Sequence, residues 1–291
     1  MRLPKFEYFE PKSLEDAFNL LNQNGKDAHL LAGGTDVLVK MRNGRLNPKV
    51  VVGLQGIEEL NGISFHPEKG LTIGANARIA EVAVSPHVLK YYPALAHAAQ
   101  VMANVQVRNM GTVVGNLCNA APSAENAPPL MAMRAEVNLQ NLEGHRRIPL
   151  DEFFKGPGLT VMDSGEIMTS VFVPLPAPKS GAAYKRISAR CGVDIAAVCV
   201  GAMVALHEET YAEVRIALGA VAPVPMRAVG AEGLLHGQKL SQELVQKVAL
   251  QAAEEAKPIT DVRASADYRK KMVAILTYRA VEEAHERAVK N

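Results

Sequence analysis

Apolar and polar positions divide the chain into short alternating strands and amphipathic helices from its first residues. Residues 6–9 alternate as a short strand. Ser13 predicts a helix N-cap, with Asp16 three positions on to return a hydrogen bond. Leu14, Ala17, Phe18 and Leu21 give that helix one apolar face, and Asn24-Gly25 ends it. Strands follow at 29–32 and 49–54, so a glycine-rich loop, Ala32-Gly33-Gly34-Thr35-Asp36, directly follows the second strand of a small β-α-β unit. A second unit starts near Gly70, with a strand at 71–75 and helical character over 80–105, broken at Ser85-Pro86 and Tyr92-Pro93. A second glycine loop comes next, Gly111-Thr112-Val113-Val114-Gly115-Asn116. Ser123 is expected to cap a short helix containing Pro128-Pro129, followed by strands at 136–139 and 146–149, a turn at 153–158 and a strand at 166–173.

Pro174, Pro176, Pro178, Ser180 and Gly181 read as a linker and the main domain boundary. Beyond it, 183–187, 195–206 and 213–220 predict a three-stranded antiparallel sheet. Helices over 242–256 and 266–289 follow, the last with Met272, Leu276, Ala280 and Ala284 on one face. Strands and helices mix without regular β-α alternation, which predicts an α+β fold.

Composition narrows the possible functions. The 291 residues suffice for two domains, and 48% hydrophobic with 21% charged residues is ordinary globular usage. A net charge of +2 supplies no basic field for nucleic acid, and His145-Arg146-Arg147 reads as a solvated strand end. Cys118, Cys191 and Cys199 form no C-x-x-C pair and read as reduced, mostly buried thiols. The start has no signal-peptide pattern, and the apolar run 195–206 falls short of the roughly twenty residues a membrane span needs. A soluble, cytoplasmic chain is expected.

The chemistry-bearing motifs are notable for what they lack. No P-loop, Rossmann G-x-G-x-x-G, H-E-x-x-H or G-x-S-x-G pattern occurs, and the eight histidines are scattered without metal-ligand spacing. The chain offers places to hold a cofactor and little to act as acid, base or nucleophile. Either glycine loop alone also closes an ordinary turn. Two of them, each followed by hydroxyl or amide side chains, suggest a diphosphate held between them by backbone N–H groups around Gly33, Gly34 and Gly115.

Ala32-Gly33-Gly34-Thr35-Asp36, Arg108-Asn109-Met110-Gly111-Thr112-Val113-Val114-Gly115-Asn116 and Ala121-Pro122-Ser123-Ala124-Glu125 resemble the FAD-binding medium subunit of the xanthine dehydrogenase/carbon monoxide dehydrogenase family of molybdenum hydroxylases. Gly156-Pro157-Gly158 with Glu166-Ile167, Tyr184-Lys185 with Asp194-Ile195-Ala196, and Asp261-Val262-Arg263-Ala264-Ser265-Ala266 continue the match in order over nearly the whole chain. The resemblance implies an FAD-binding PCMH-like domain over 1–176, built of two subdomains at about 1–56 and 57–176, and a C-terminal domain over 177–291.

It also implies that His29-Leu30-Leu31-Ala32-Gly33-Gly34-Thr35-Asp36 and Thr112-Val113-Val114-Gly115-Asn116 hold FAD, non-covalently because Thr35 cannot form a histidyl link. Met102, Asn119 and Ser123 are implied along the cofactor, Ile167 as an apolar contact, and Tyr184 and Lys185 near the flavin. Glu125 matches an acidic position, an aspartate in most relatives, that accepts from ribose hydroxyls. Val114 stands where the family usually has glycine. The expectation is that its φ stays negative, since a β-branched residue at positive φ costs about 1–3 kcal/mol.

By the same resemblance, a large subunit carries molybdopterin and a small subunit carries two 2Fe–2S clusters. Electrons pass from those clusters through FAD to NAD or another acceptor, and no 4Fe–4S cluster is expected on this chain. A flavin-free assembly subunit, which Val114 and Glu125 keep open, and a stand-alone flavin oxidoreductase are the alternatives.

Overall fold

The computed structural model describes residues 3–190, 193–239 and 241–291. The first lobe is the expected β-α-β unit. Strand Val50–Gly53 lies between Glu7–Phe9 and Ala28–Leu31, both parallel to it. The helix Leu14–Asn24 buries Leu14, Ala17, Phe18 and Leu21. Ser13 Oγ accepts from the Asp16 N–H at 3.1 Å, and Gly25 closes the helix at φ +50°.

The second lobe is a five-stranded antiparallel sheet in the order Ile63–His66, Gly70–Gly74, Ile167–Pro174, Glu136–Gln140, His145–Pro149. Three short helices accompany it, Ile79–Val84, Pro86–Tyr91 and Pro93–Val101, and a proline opens each of the last two. Proline lacks the N–H that a first helical residue leaves unpaired anyway, so it starts helices well and interrupts the preceding one. Among the described residues, no helix is long and apolar enough to cross a membrane.

The C-terminal domain has the expected antiparallel sheet, Ser180–Ile187, Val198–His207 and Thr210–Gly219, with a fourth short strand, Met226–Arg227, at its edge. Helices Val229–Leu235, Gln242–Glu255 and Ala266–Lys290 accompany it. The α+β expectation holds.

Four local expectations change. The proline segment is shorter than a linker over 174–181: Pro174 ends one strand and Ser180-Gly181 begin the next. Ser123 caps no helix, because Ala127–Ala132 starts after Asn126. The turn at 153–158 is part of a hairpin of Phe154–Gly156 with Leu159–Thr160. Arg146 is not a free solvated cation, since its guanidinium grips Glu166 through two hydrogen bonds of 2.8 and 2.7 Å. Cys199 is buried and Cys118 partly so, while Cys191 lies outside the described residues.

The domains share a core. Ala182, Tyr184, Ala196, Cys199 and Ala217 pack into the same apolar cluster as the first two lobes. Gly201 permits this contact, because a Cβ there would stand 2.5 Å from the Pro128 carbonyl oxygen. The C-terminal domain therefore forms a wall for whatever lies beside 121–128.

Candidate functional site

The two glycine loops touch. A Cβ on Gly33 would lie within 2.8 Å of the Met110 carbonyl carbon and the Gly111 Cα, and nearer still to the Met110 oxygen. Only glycine allows the first loop to rest on the second. Gly34 takes φ +71°, the left-handed region that glycine tolerates.

In the second loop Thr112 caps the helix Val113–Cys118, its Oγ1 accepting from the Gly115 N–H at 2.9 Å. That N–H is thus spent within the loop, which corrects its expected role toward a phosphate. Val114 sits inside the helix, buried, and is absent from the residues of positive φ. No backbone strain arises there.

Both loops line a cavity of about 1100 Å³ that extends from the first sheet to the C-terminal domain. His29, Leu30, Ala32, Gly33, Gly34, Thr35, Asp36, Met102, Thr112, Val114, Gly115, Asn116, Asn119, Ser123, Glu125 and Ile167 are all brought to it. Four expected residues are not. Leu31 packs beside Gly34, and Val113 is fully buried in the core. Tyr184 is also fully buried, its hydroxyl donating to Glu125 Oε1 at 2.6 Å. Lys185 turns to an ion pair with Glu283. The mouth is completed by Val193, Ile195, Val262 and Arg263 of the C-terminal domain.

The electrostatics differ between the ends of the cavity. Lys40 lies on the helix Val37–Arg42, one turn after its N-cap Asp36, and donates to Asn119 Oδ1 at 2.6 Å. Burial, then the nearby Lys40 charge, pushes the His29 imidazole below its ordinary value, favouring the neutral ring. Burial raises the Asp36 carboxyl, with Lys40 opposing.

At the other wall, burial raises the Glu125 carboxyl against the Tyr184 hydrogen bond and the Arg186 charge. Arg186 Nε lies 2.7 Å from Glu125 Oε1, an ion pair without hydrogen-bond alignment. Its Nη1 and Nη2 donate to the carbonyls of Val101 (3.2 Å) and Asp194 (2.9 Å). Glu125 is therefore engaged by protein. Burial pushes the Cys118 thiol up to about 12.

Lys40, Asn126, Arg108 and Arg186 were not anticipated from sequence. For Lys40 a signal existed, its i+4 spacing from Asp36 on a short helix. The other three act across 6 to 85 residues of chain and left none.

A cleft with a lysine, amides and close-packed glycines at one side and Met102 and Ile167 on its apolar surface suits an anionic cofactor that also carries a ring system. The class is a cofactor-holding protein whose own side chains do little chemistry. The family is definite: residues 4–176 match the FAD binding domain in molybdopterin dehydrogenase, and residues 182–284 match the CO dehydrogenase flavoprotein C-terminal domain.

The chain belongs to this family of FAD-binding oxidoreductase subunits. It is 35% identical to the carbon monoxide dehydrogenase medium chain of Hydrogenophaga pseudoflava over 98% of both chains. It is 30% identical to the xanthine dehydrogenase FAD-binding subunit of Escherichia coli O157:H7 over 95% of each. Among solved structures, the H. pseudoflava carbon monoxide dehydrogenase lacking the Mo-pyranopterin moiety superposes with a TM-score of 0.95 over 99% of both chains. Quinoline 2-oxidoreductase of Pseudomonas putida 86, at 28% identity, gives 0.92 over 99% of each.

Proposed function

We propose that this chain carries non-covalent FAD in the cavity between its glycine loops and passes electrons from the 2Fe–2S clusters of a small partner subunit to NAD or another acceptor. A large partner subunit carries the molybdopterin. The relatives named as medium chains of carbon monoxide dehydrogenase support this assembly. The carrying observation is the seating of Gly33 on Met110-Gly111, which makes two distant loops one continuous wall.

The residues fit the group. Lys40 supplies positive charge for a diphosphate, and Asn119 holds the lysine in place. Thr35, Thr112 and Asn116 add side-chain polar groups, while Met102 and Ile167 offer apolar contact. FAD, when bound, supplies one- and two-electron redox chemistry that no side chain here can perform. Glu125 acts through protein, tying the wall at 121–126 to Tyr184 and Arg186. The division into 1–176 (subdomains about 1–56 and 57–176) and 177–291, and a cytoplasmic location, belong to the same proposal. The family matches ending at 176 and resuming at 182 support the division.

The test is the visible spectrum of the purified protein before and after denaturation. Flavin bands at roughly 370 and 450 nm, with free FAD in the supernatant, are expected. A colourless protein that takes up no added FAD refutes the proposal. Flavin that stays on the denatured polypeptide refutes the non-covalent linkage.

A further inference from the structure

Asn126 follows Glu125 at the N-cap position of the helix Ala127–Ala132, yet its side chain makes no capping bond. It is fully buried. Its backbone N–H donates to Asn116 Oδ1 at 3.3 Å, and its side-chain Nδ2 reaches the same oxygen at 3.2 Å. The same Nδ2 stands 3.4 Å from Met102 Sδ. Its own Oδ1 has no partner among the described residues. A buried acceptor without a donor is a cost that a leucine of similar size would not carry.

The arrangement settles which way the Asn116 amide faces. A backbone N–H can only donate, so the Asn116 oxygen must be the atom turned toward Asn126. The Asn116 NH2 group has no acceptor among the described residues and is the half left for the cavity, which Asn116 lines.

Met102, at the other end of the Asn126 amide, belongs to an over-determined turn. Its carbonyl accepts from Arg108 Nη1 at 2.7 Å, and the Val101 carbonyl accepts from Arg186. Ala103 is held at φ +45°, a conformation alanine disfavours. Strain persists only where surrounding contacts enforce it, and here those contacts fix the wall that carries Met102.

We propose that Asn126 is a positioning residue of the cofactor cavity. Its side-chain amide joins the backbone N–H in holding the Asn116 oxygen, so that the NH2 donor faces the ligand; it also lies against the Met102 thioether. The ligand class selected at that point is one presenting an oxygen acceptor, phosphoryl or carbonyl. The inference rests on the FAD reading above.

The test is FAD titration of the full chain in its purified native assembly after flavin removal, for wild type, Asn126→Leu, Asn126→Asp, Asn116→Leu and the double variant Asn126→Leu/Asn116→Leu. Asn126→Leu should weaken FAD binding about fivefold, because the backbone N–H at 126 then holds the Asn116 oxygen without its second donor. The ligand-free melting temperature should be unchanged or raised, because the orphan acceptor is gone. Asn126→Asp should weaken binding further at neutral pH, since a carboxylate repels the Asn116 oxygen and competes for its NH2 against the backbone N–H that holds the present orientation. Binding by that variant should recover on acidification.

The double variant should bind no more weakly than Asn116→Leu alone, because both substitutions act through one amide. Affinity within about twofold of wild type for both Asn126 variants overturns the inference, as do effects that multiply in the double variant. A lowered melting temperature with unchanged affinity of the folded fraction also overturns it and marks Asn126 as structural. Should wild type bind no FAD, the functional reading fails and this inference falls with it.

Discussion

Replacing Gly33 by alanine tests whether two loops separated by about eighty residues form one site. The added Cβ would stand 2.7 Å from the Met110 carbonyl carbon and 2.8 Å from the Gly111 Cα. Carbon atoms pack at about 3.5–4.0 Å, so one loop must retreat by roughly 1 Å. Both neighbours are backbone, and no side chain can swing aside. The substitution therefore falls at the upper end of overpacking costs, about 3 kcal/mol. For a chain of this size that corresponds to a fall of roughly 6–12 °C in melting temperature.

Gly144→Ala is the control, since it has ordinary φ and nothing within 4 Å of the added atom. It should lie within about 0.5 kcal/mol of wild type. Thermal unfolding of the ligand-free chain, followed by FAD titration, reads both effects. Gly33→Ala should melt well below the control and bind FAD weakly. Equal melting and equal affinity for the two variants would refute the contact between the loops.

Val114→Gly should lose about 2 kcal/mol, from helix propensity and from burial, without improving FAD affinity, because Val114 is helical and unstrained; tighter FAD binding in a titration would contradict that geometry. Arg186→Met strands the buried Glu125 carboxylate beside Tyr184 alone and should cost about 3–5 kcal/mol by urea unfolding, with Glu125→Gln restoring part of the loss. Acid titration of stability should show Asp261. Burial acts to raise its carboxyl, but hydrogen bonds from the Arg263 N–H, the Arg269 guanidinium and the Ala264 N–H outweigh this and hold it at about 2. The unfolded carboxyl takes its proton first, so the stabilisation present above pH 3.8 is lost as the pH falls toward 2. Asp261→Asn should flatten that part of the curve, and an unchanged slope would dismiss the contribution.

The β-α-β part of the first lobe was legible from local signals, while the helix Val37–Arg42 was not. Ser13, the apolar face from Leu14 to Leu21 and Gly25 act within a few residues of one another, and they sit as expected. The strand Ile63–His66 was equally local, with Ile63 and Phe65 half-buried and Ser64 and His66 exposed, but four residues gave too weak an alternation to be recognised. Met226–Arg227 is a strand only because Ala217 and Leu218 pair with it.

The site divides the same way. The glycine loops and sixteen of the twenty expected residues reach the cavity. Tyr184 and Lys185 do not, since their partners Glu125 and Glu283 lie 59 and 98 residues away and determine where those side chains turn. Gly115 was expected to offer its N–H outward, but Thr112 captures it three residues away. Side-chain competition of that kind is invisible in a motif, which records residue types and not which acceptor wins.

The most direct measurement is calorimetric titration of the flavin-stripped protein, in its native assembly, with FAD and with FMN. The account predicts tight one-to-one FAD binding that weakens in Lys40→Met, and FMN binding weaker by at least about tenfold, since FMN lacks the diphosphate that the paired loops and Lys40 are arranged to hold. Equal affinity for FMN and FAD, or FAD binding indifferent to both Lys40→Met and Gly33→Ala, would contradict it.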